Sequence, residues 1–157
     1  MKRLSQPPGA PAARLLIVDD HELTRAGLRR ILTGEVGLEV VGEARTGREA
    51  LAQCRCLRPD LVLMDVRMPD LDGLAATRCI KQEHPGAQVV LLTLAENTAY
   101  LREALKAGAR GYVLKGATRV EIIDALRQVL CGQPVLPPEL AIDLASAPEE
   151  KSYDSLT

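Results

Sequence analysis

The chain has 157 residues, 46% apolar and 26% charged, with 20 basic against 21 acidic side chains and a net charge of −1. That length suits one compact domain with tails, and the balanced charge gives this chain no positive field to draw it onto nucleic acid. Aromatics are only 2%, with no Phe or Trp, so the core must be built from Leu, Val, Ile, Ala and Met.

Residues 1–13 are broken by Pro and Gly and lack the apolar run of a signal peptide, so they are expected to form a disordered arm. No stretch approaches the ~18 apolar residues of a membrane span, and a soluble cytoplasmic protein is expected. From Arg14 onward, short aliphatic runs alternate with amphipathic stretches. The runs cover 15–18, 38–41, 61–64, 89–92 and 112–114. Several are continuous rather than alternating, as in parallel strands buried on both faces.

The stretches between the runs read as helices. Residues 21–33 place Leu28, Ile31 and Leu32 on one face and stop near Gly34. Residues 46–57 open with Thr46 and Glu49 at capping-box spacing and stop before Pro59, because the residue ahead of proline disfavours helix. Residues 74–83 follow Asp72-Gly73 and end before Pro85-Gly86. Residues 98–107 end at Gly108, a C-cap signal. Residues 118–130 open with a second capping box, Thr118 and Glu121, and end at Gly132. Such β-α alternation predicts an α/β domain, a doubly wound parallel sheet of five strands, because right-handed crossovers put helices on both faces. Residues 133–157 are rich in Pro and read as linker, with one short helix expected over 138–145.

Ligands of such sheets bind at the carboxyl ends of the strands. There the first strand runs into Asp19-Asp20, the third ends at Asp65, the fourth at Thr93, and the fifth runs into Lys115. The second strand offers nothing comparable and is expected to lie outside. Two unit charges ~4 Å apart repel by about 4 kcal/mol at an effective dielectric of ~20, so three carboxylates in one place call for a cation. A hard divalent ion fits oxygen ligands, and Mg²⁺ fits best because it keeps several waters and takes few protein carboxylates. An aspartate nucleophile, a cation, a Lys and a hydroxyl are the inventory of phosphoryl transfer. The four cysteines and two histidines match no zinc spacing.

The segments LLIVDDHELTRAGLRRIL (15–32), PDLVLMDVRMPDLDGL (59–74) and VVLLTLAENTAYLREALKAGARGYVLKG (89–116) resemble the receiver domain of two-component response regulators. The resemblance spans 14–132 and implies a single flavodoxin-like domain with strand order 2-1-3-4-5. It implies that Asp65 accepts a phosphoryl group from a sensor histidine kinase. Mg²⁺ would be held by Asp20, Asp65 and the Arg67 carbonyl, with Asp19 on a metal-bound water. Thr93 and Lys115 would bind the phosphoryl oxygens, and Thr93 and Tyr112 would be the switch pair. Such a domain is no enzyme beyond its own phosphorylation and dephosphorylation.

Asp20-His21 and residues 107–115 look most like the NarL/FixJ subclass, whose members carry a LuxR-type helix-turn-helix after the receiver. A DNA-binding domain beyond Thr157 and a phosphorylation-linked homodimer are therefore expected, with DNA reached only through that further domain. The alternatives are a stand-alone receiver and a pseudo-receiver that binds partners without phosphorylation. Gly116 stands where many receivers have Pro, and Arg67 sits where side chains can shield the phosphoryl group. A haloacid-dehalogenase-type phosphatase needs an Asp where Arg67 stands. A flavodoxin-like FMN carrier needs a hydroxyl-rich loop and stacking aromatics that this chain lacks.

Overall fold

A computed structural model of the chain describes residues 11–68, 71–95 and 97–140. The elements are β1 (Ala13–Val18), α1 (Glu22–Leu32), β2 (Leu38–Ala44), α2 (Gly47–Leu57), β3 (Leu61–Asp65), α3 (Gly73–Glu83), β4 (Gln88–Thr93), α4 (Thr98–Ala107), β5 (Gly111–Leu114) and α5 (Arg119–Leu130). All strand pairs are parallel, and the sheet order is β2-β1-β3-β4-β5. This is the doubly wound, flavodoxin-like topology expected from the sequence. The aliphatic runs of β1, β3 and β4 are covered on both faces. Leu15, Ile17, Leu61, Leu63, Val90 and Leu92 pack with Leu126 and Val129 of α5 on one side. Leu16, Val18, Val62, Met64, Val89 and Leu91 pack with Ala50, Cys54 and Ile80 of α2 and α3 on the other.

Three local outcomes differ from the sequence reading, each for a visible reason. β2 runs to Ala44 rather than Val41, because Leu15 pairs with Val40 and Leu16 with Gly42. Val41 is the extra residue of a bulge, and the strand continues past it. α2 stops because Arg58, its C-cap, takes a left-handed conformation at φ 49°, not simply because Pro59 follows. The capping box expected at Thr46 is half formed: Glu49 N–H donates to Thr46 Oγ1, but the Glu49 carboxylate takes the Arg45 N–H instead of that of Thr46. The box at Thr118 and Glu121 is complete.

After α5 the chain turns back onto the sheet. Val135 bridges Gly111 in parallel, accepts the Tyr112 N–H and donates to the Arg110 carbonyl. A helical turn begins at Pro138, and Leu140 is buried. The expected arm over residues 1–10, and the stretch past Leu140 with the rest of the expected short helix and linker, lie outside the described residues.

Candidate functional site at the carboxyl edge of the sheet

Parallel pairing brings the ends of β1, β3, β4 and β5 to one edge, and the loops that follow them carry the polar residues. Asp19 follows β1 directly and is fully buried, while Asp65 ends β3 at 2% exposure. Asp20 and His21 stand at the rim. One ligand atom from each of Asp19, Asp20, His21 and Asp65 lies within 4.8 Å of all the others. Lys115, just past β5, reaches into this cluster. Its Nζ is 3.1 Å from Asp65 Oδ2 and 3.5 Å from Asp19 Oδ2.

Backbone contacts fix the corner. The Asp19 N–H donates to the Ala44 carbonyl at the end of β2, and the Lys115 N–H to the Thr93 carbonyl. Asp19 Oδ1 accepts the His21 N–H at 2.8 Å, and Asp65 Oδ1 accepts the Arg67 N–H at 3.2 Å. The inner oxygens are worse served. Asp19 Oδ2 and Asp65 Oδ2 are buried with no hydrogen-bond partner among the described residues, because Lys115 pairs with them by charge without good donor alignment. Burial pushes the Asp65 carboxyl above the usual carboxylate range. The Arg67 N–H and the Lys115 ammonium pull it back down, and the charge of Asp19 pushes it further up.

Buried oxygens without donors, converging from two strands, are the donor set of a hard cation. The residues present therefore fit Mg²⁺.

The other expected site residues take varied positions. Thr93 ends β4 and is buried, but its hydroxyl donates to the Ala95 carbonyl at 2.9 Å, so it serves its own loop. Tyr112 is half-buried on β5 opposite Leu91. The Arg67 side chain is exposed. Gly73 opens α3 against the β3 end, where a Cβ would sit 2.9 Å from Val66 Cα and 3.1 Å from the Asp65 carbonyl oxygen. Only glycine lets that helix come so close beside Asp65.

Two features escaped the sequence reading. Tyr100 of α4 packs against the core layer under α2 and α3 and buries its hydroxyl without a well-formed hydrogen bond. Burial, with the charges of Asp72 and Asp65, raises that phenol to about 12, and the adjacent Leu74 N–H offsets part of the rise. Arg25 of α1 reaches the Asp19 carbonyl. Neither is announced by spacing, because both depend on which helices pack beside the corner.

A buried aspartate flanked by carboxylates and a lysine, at the carboxyl edge of a 2-1-3-4-5 sheet, is the arrangement of a phosphoacceptor signalling domain. The response regulator receiver domain family matches residues 15–127, and the chain belongs to that family. It is 46% identical over 132 residues to the response regulator GacA of Pseudomonas viridiflava, covering 84% of this chain and 62% of that protein. The chain thus spans about three fifths of that curated relative. A LuxR-family two-component response regulator from Aurantimonas sp. SI85-9A1 superposes with a TM-score of 0.77 at 36% identity, over 86% of this chain and 96% of that one. The signal receiver domain of the response regulator NarL from Mycobacterium tuberculosis gives a TM-score of 0.75 at 34% identity, over 79% of this chain and all of that one.

Proposed function

We propose that this receiver domain, in the cytoplasm, accepts a phosphoryl group on Asp65 from a phosphohistidine of a sensor histidine kinase, as the input half of a transcription regulator. The observation that carries the reading is the meeting of Asp19, Asp65 and Lys115 from distant parts of the chain within ion-pair distance. Asp20, Asp65 and the Arg67 carbonyl would hold Mg²⁺, with Asp19 on its water. When bound, the ion supplies positive charge against the phosphoryl oxygens.

The chain's own residues do the rest. The Asp65 carboxylate attacks phosphorus in line. The P–N bond to the histidine breaks as the new O–P bond forms, and the imidazole keeps the electron pair of the broken bond. Lys115, already beside Asp65, neutralises one phosphoryl oxygen. Thr93 must give up Ala95 to donate to another, so the β4–α4 loop moves with it. Tyr112 follows on β5, shifting the α4–β5–α5 face between two states. A homodimer and DNA contact through a further domain are the outputs this reading implies.

Incubating the chain with acetyl phosphate and Mg²⁺ and weighing it intact tests the reading. The expected result is a gain of one phosphoryl group, absent in Asp65→Asn and without Mg²⁺. An unchanged mass in the wild type favours the pseudo-receiver instead.

A further inference from the structure

Arg25 takes no part in the expected chemistry, yet its side chain is only 11% exposed. Its Nη1 donates to the Asp19 carbonyl at 2.7 Å, and its Nε donates to Glu43 Oε1 at 3.0 Å. The second Glu43 oxygen pairs with Arg29 Nη1. On the other side of residue 19, the Asp19 N–H is taken by the Ala44 carbonyl. Both backbone groups of Asp19 are therefore pinned, one by β2 directly and the other by an α1 arginine that a β2 glutamate holds.

The guanidinium meets the acidic turn through a backbone oxygen. Lys115, by contrast, faces the inner carboxylate oxygens themselves. Arg25 thus brings a positive charge beside the acidic turn through the Asp19 carbonyl, while Lys115 meets the carboxylate oxygens. Carboxylates that repel one another spread apart unless something fixes the turn that bears them, and a spread site must be gathered again each time a cation binds.

We propose that Arg25, anchored by Glu43, is a positioning residue for divalent-cation binding that holds the Asp19–Asp20 turn in its cation-ready shape. The proposal rests on the Mg²⁺-assisted receiver reading and adds to it the residues outside the acidic corner that set its affinity. α1 and β2, which lend no side chain to the cation, would thereby determine how tightly it is held.

The test uses the whole chain as wild type, Arg25→Ala, Arg25→Lys and Glu43→Gln, with Mg²⁺ binding followed by calorimetry and phosphorylation by acetyl phosphate followed by mass. Partners that orient ligand groups from behind change metal affinity by roughly 10–100-fold. Arg25→Ala should raise the Mg²⁺ Kd about tenfold while leaving the phosphorylation rate at saturating Mg²⁺ near that of the wild type. A purely structural role would not divide affinity from rate in this way. Arg25→Lys should recover part of the affinity, since an ammonium can still reach one acceptor. Glu43→Gln, which keeps the Asp19 contact but loosens its anchor, should fall between. Wild-type Mg²⁺ affinity in Arg25→Ala overturns the proposal while the receiver reading stands. If Arg25→Ala does not fold by circular dichroism, wild-type affinity in both Arg25→Lys and Glu43→Gln overturns it. A wild type that neither binds Mg²⁺ nor gains a phosphoryl group overturns both.

Discussion

Asp65 keeps one oxygen on the Arg67 N–H and buries the other with only the poorly aligned Lys115 ammonium for company. Burial is the largest reason its carboxyl titrates above the ordinary range, and a raised folded-state pKa has a definite sign. The folded protein prefers the protonated acid, so this contribution to stability is complete below the ordinary carboxylate pKa and is lost as pH rises through the raised value. In metal-free protein at neutral pH the ionised Asp65 therefore opposes folding. Asp65→Asn removes that charge and should raise the metal-free Tm at pH 7. The gap between the two proteins should narrow as pH falls and close below the ordinary Asp pKa of about 3.9, where the carboxyl is protonated in both states. Added Mg²⁺ should stabilise the wild type more than the variant. Thermal scans across pH, with chelator and with Mg²⁺, check this, and an Asp65→Asn protein less stable than wild type at pH 7 in chelator would refute it.

Among the elements, α2 ends in a way the sequence does not advertise. Arg58 adopts φ 49° and ψ 62°, the one non-glycine residue at positive φ among those described. The left-handed region costs an L-residue roughly 1–2 kcal/mol, and Gly there keeps the Arg58 N–H bond to the Cys54 carbonyl without that cost. Greater unfolded-state freedom takes back part of the gain. Arg58→Gly should stabilise the protein by about 0.5–1 kcal/mol, read from urea unfolding; a loss of stability would show that the Arg58 side chain has a packing role. The contrast with Gly108, which ends α4 at φ 113°, marks what was legible in the sequence. Where the chain uses glycine at a helix end, or a Thr and Glu at capping spacing, composition reveals the boundary. Where it uses arginine in the same role, or inserts Val41 as a bulge, only the paired structure does. The same division runs through the site. Asp19, Asp20, Asp65 and Lys115 announce themselves at strand ends, because parallel strands place those ends together. Arg25 and Glu43 are 18 residues apart in the chain, and nothing local links them. Tyr100 reads as an ordinary helix residue until α4 packs against α3.

For the whole molecule, the order β2-β1-β3-β4-β5 leaves β2 and β5 as edges, and the two are treated differently. β2 braces the acidic corner through Ala44 and, by way of Arg25, through Glu43. β5 carries the chain into Lys115 and is itself flanked by Val135, whose carbonyl takes the Tyr112 N–H. A paired edge presents fewer free backbone groups to a second sheet. The stretch from 133 to 140 is therefore part of the domain's packing at the strand that bears the expected switch tyrosine. Leu140 closes this flap at 1% exposure, held by the Leu140 N–H to the Pro137 carbonyl. Truncating a buried leucine to alanine costs 2–5 kcal/mol in well-packed cores, with the lower values where the surroundings can collapse. Leu140→Ala should cost about 2 kcal/mol. Leu23, 88% exposed on α1, provides the control, and Leu23→Ala should change stability by no more than about 0.5 kcal/mol. Equal and small effects of the two substitutions in urea unfolding would mean that the flap is not docked in solution. A large effect at Leu140 alone would show that the folded unit extends past α5 to include this flap.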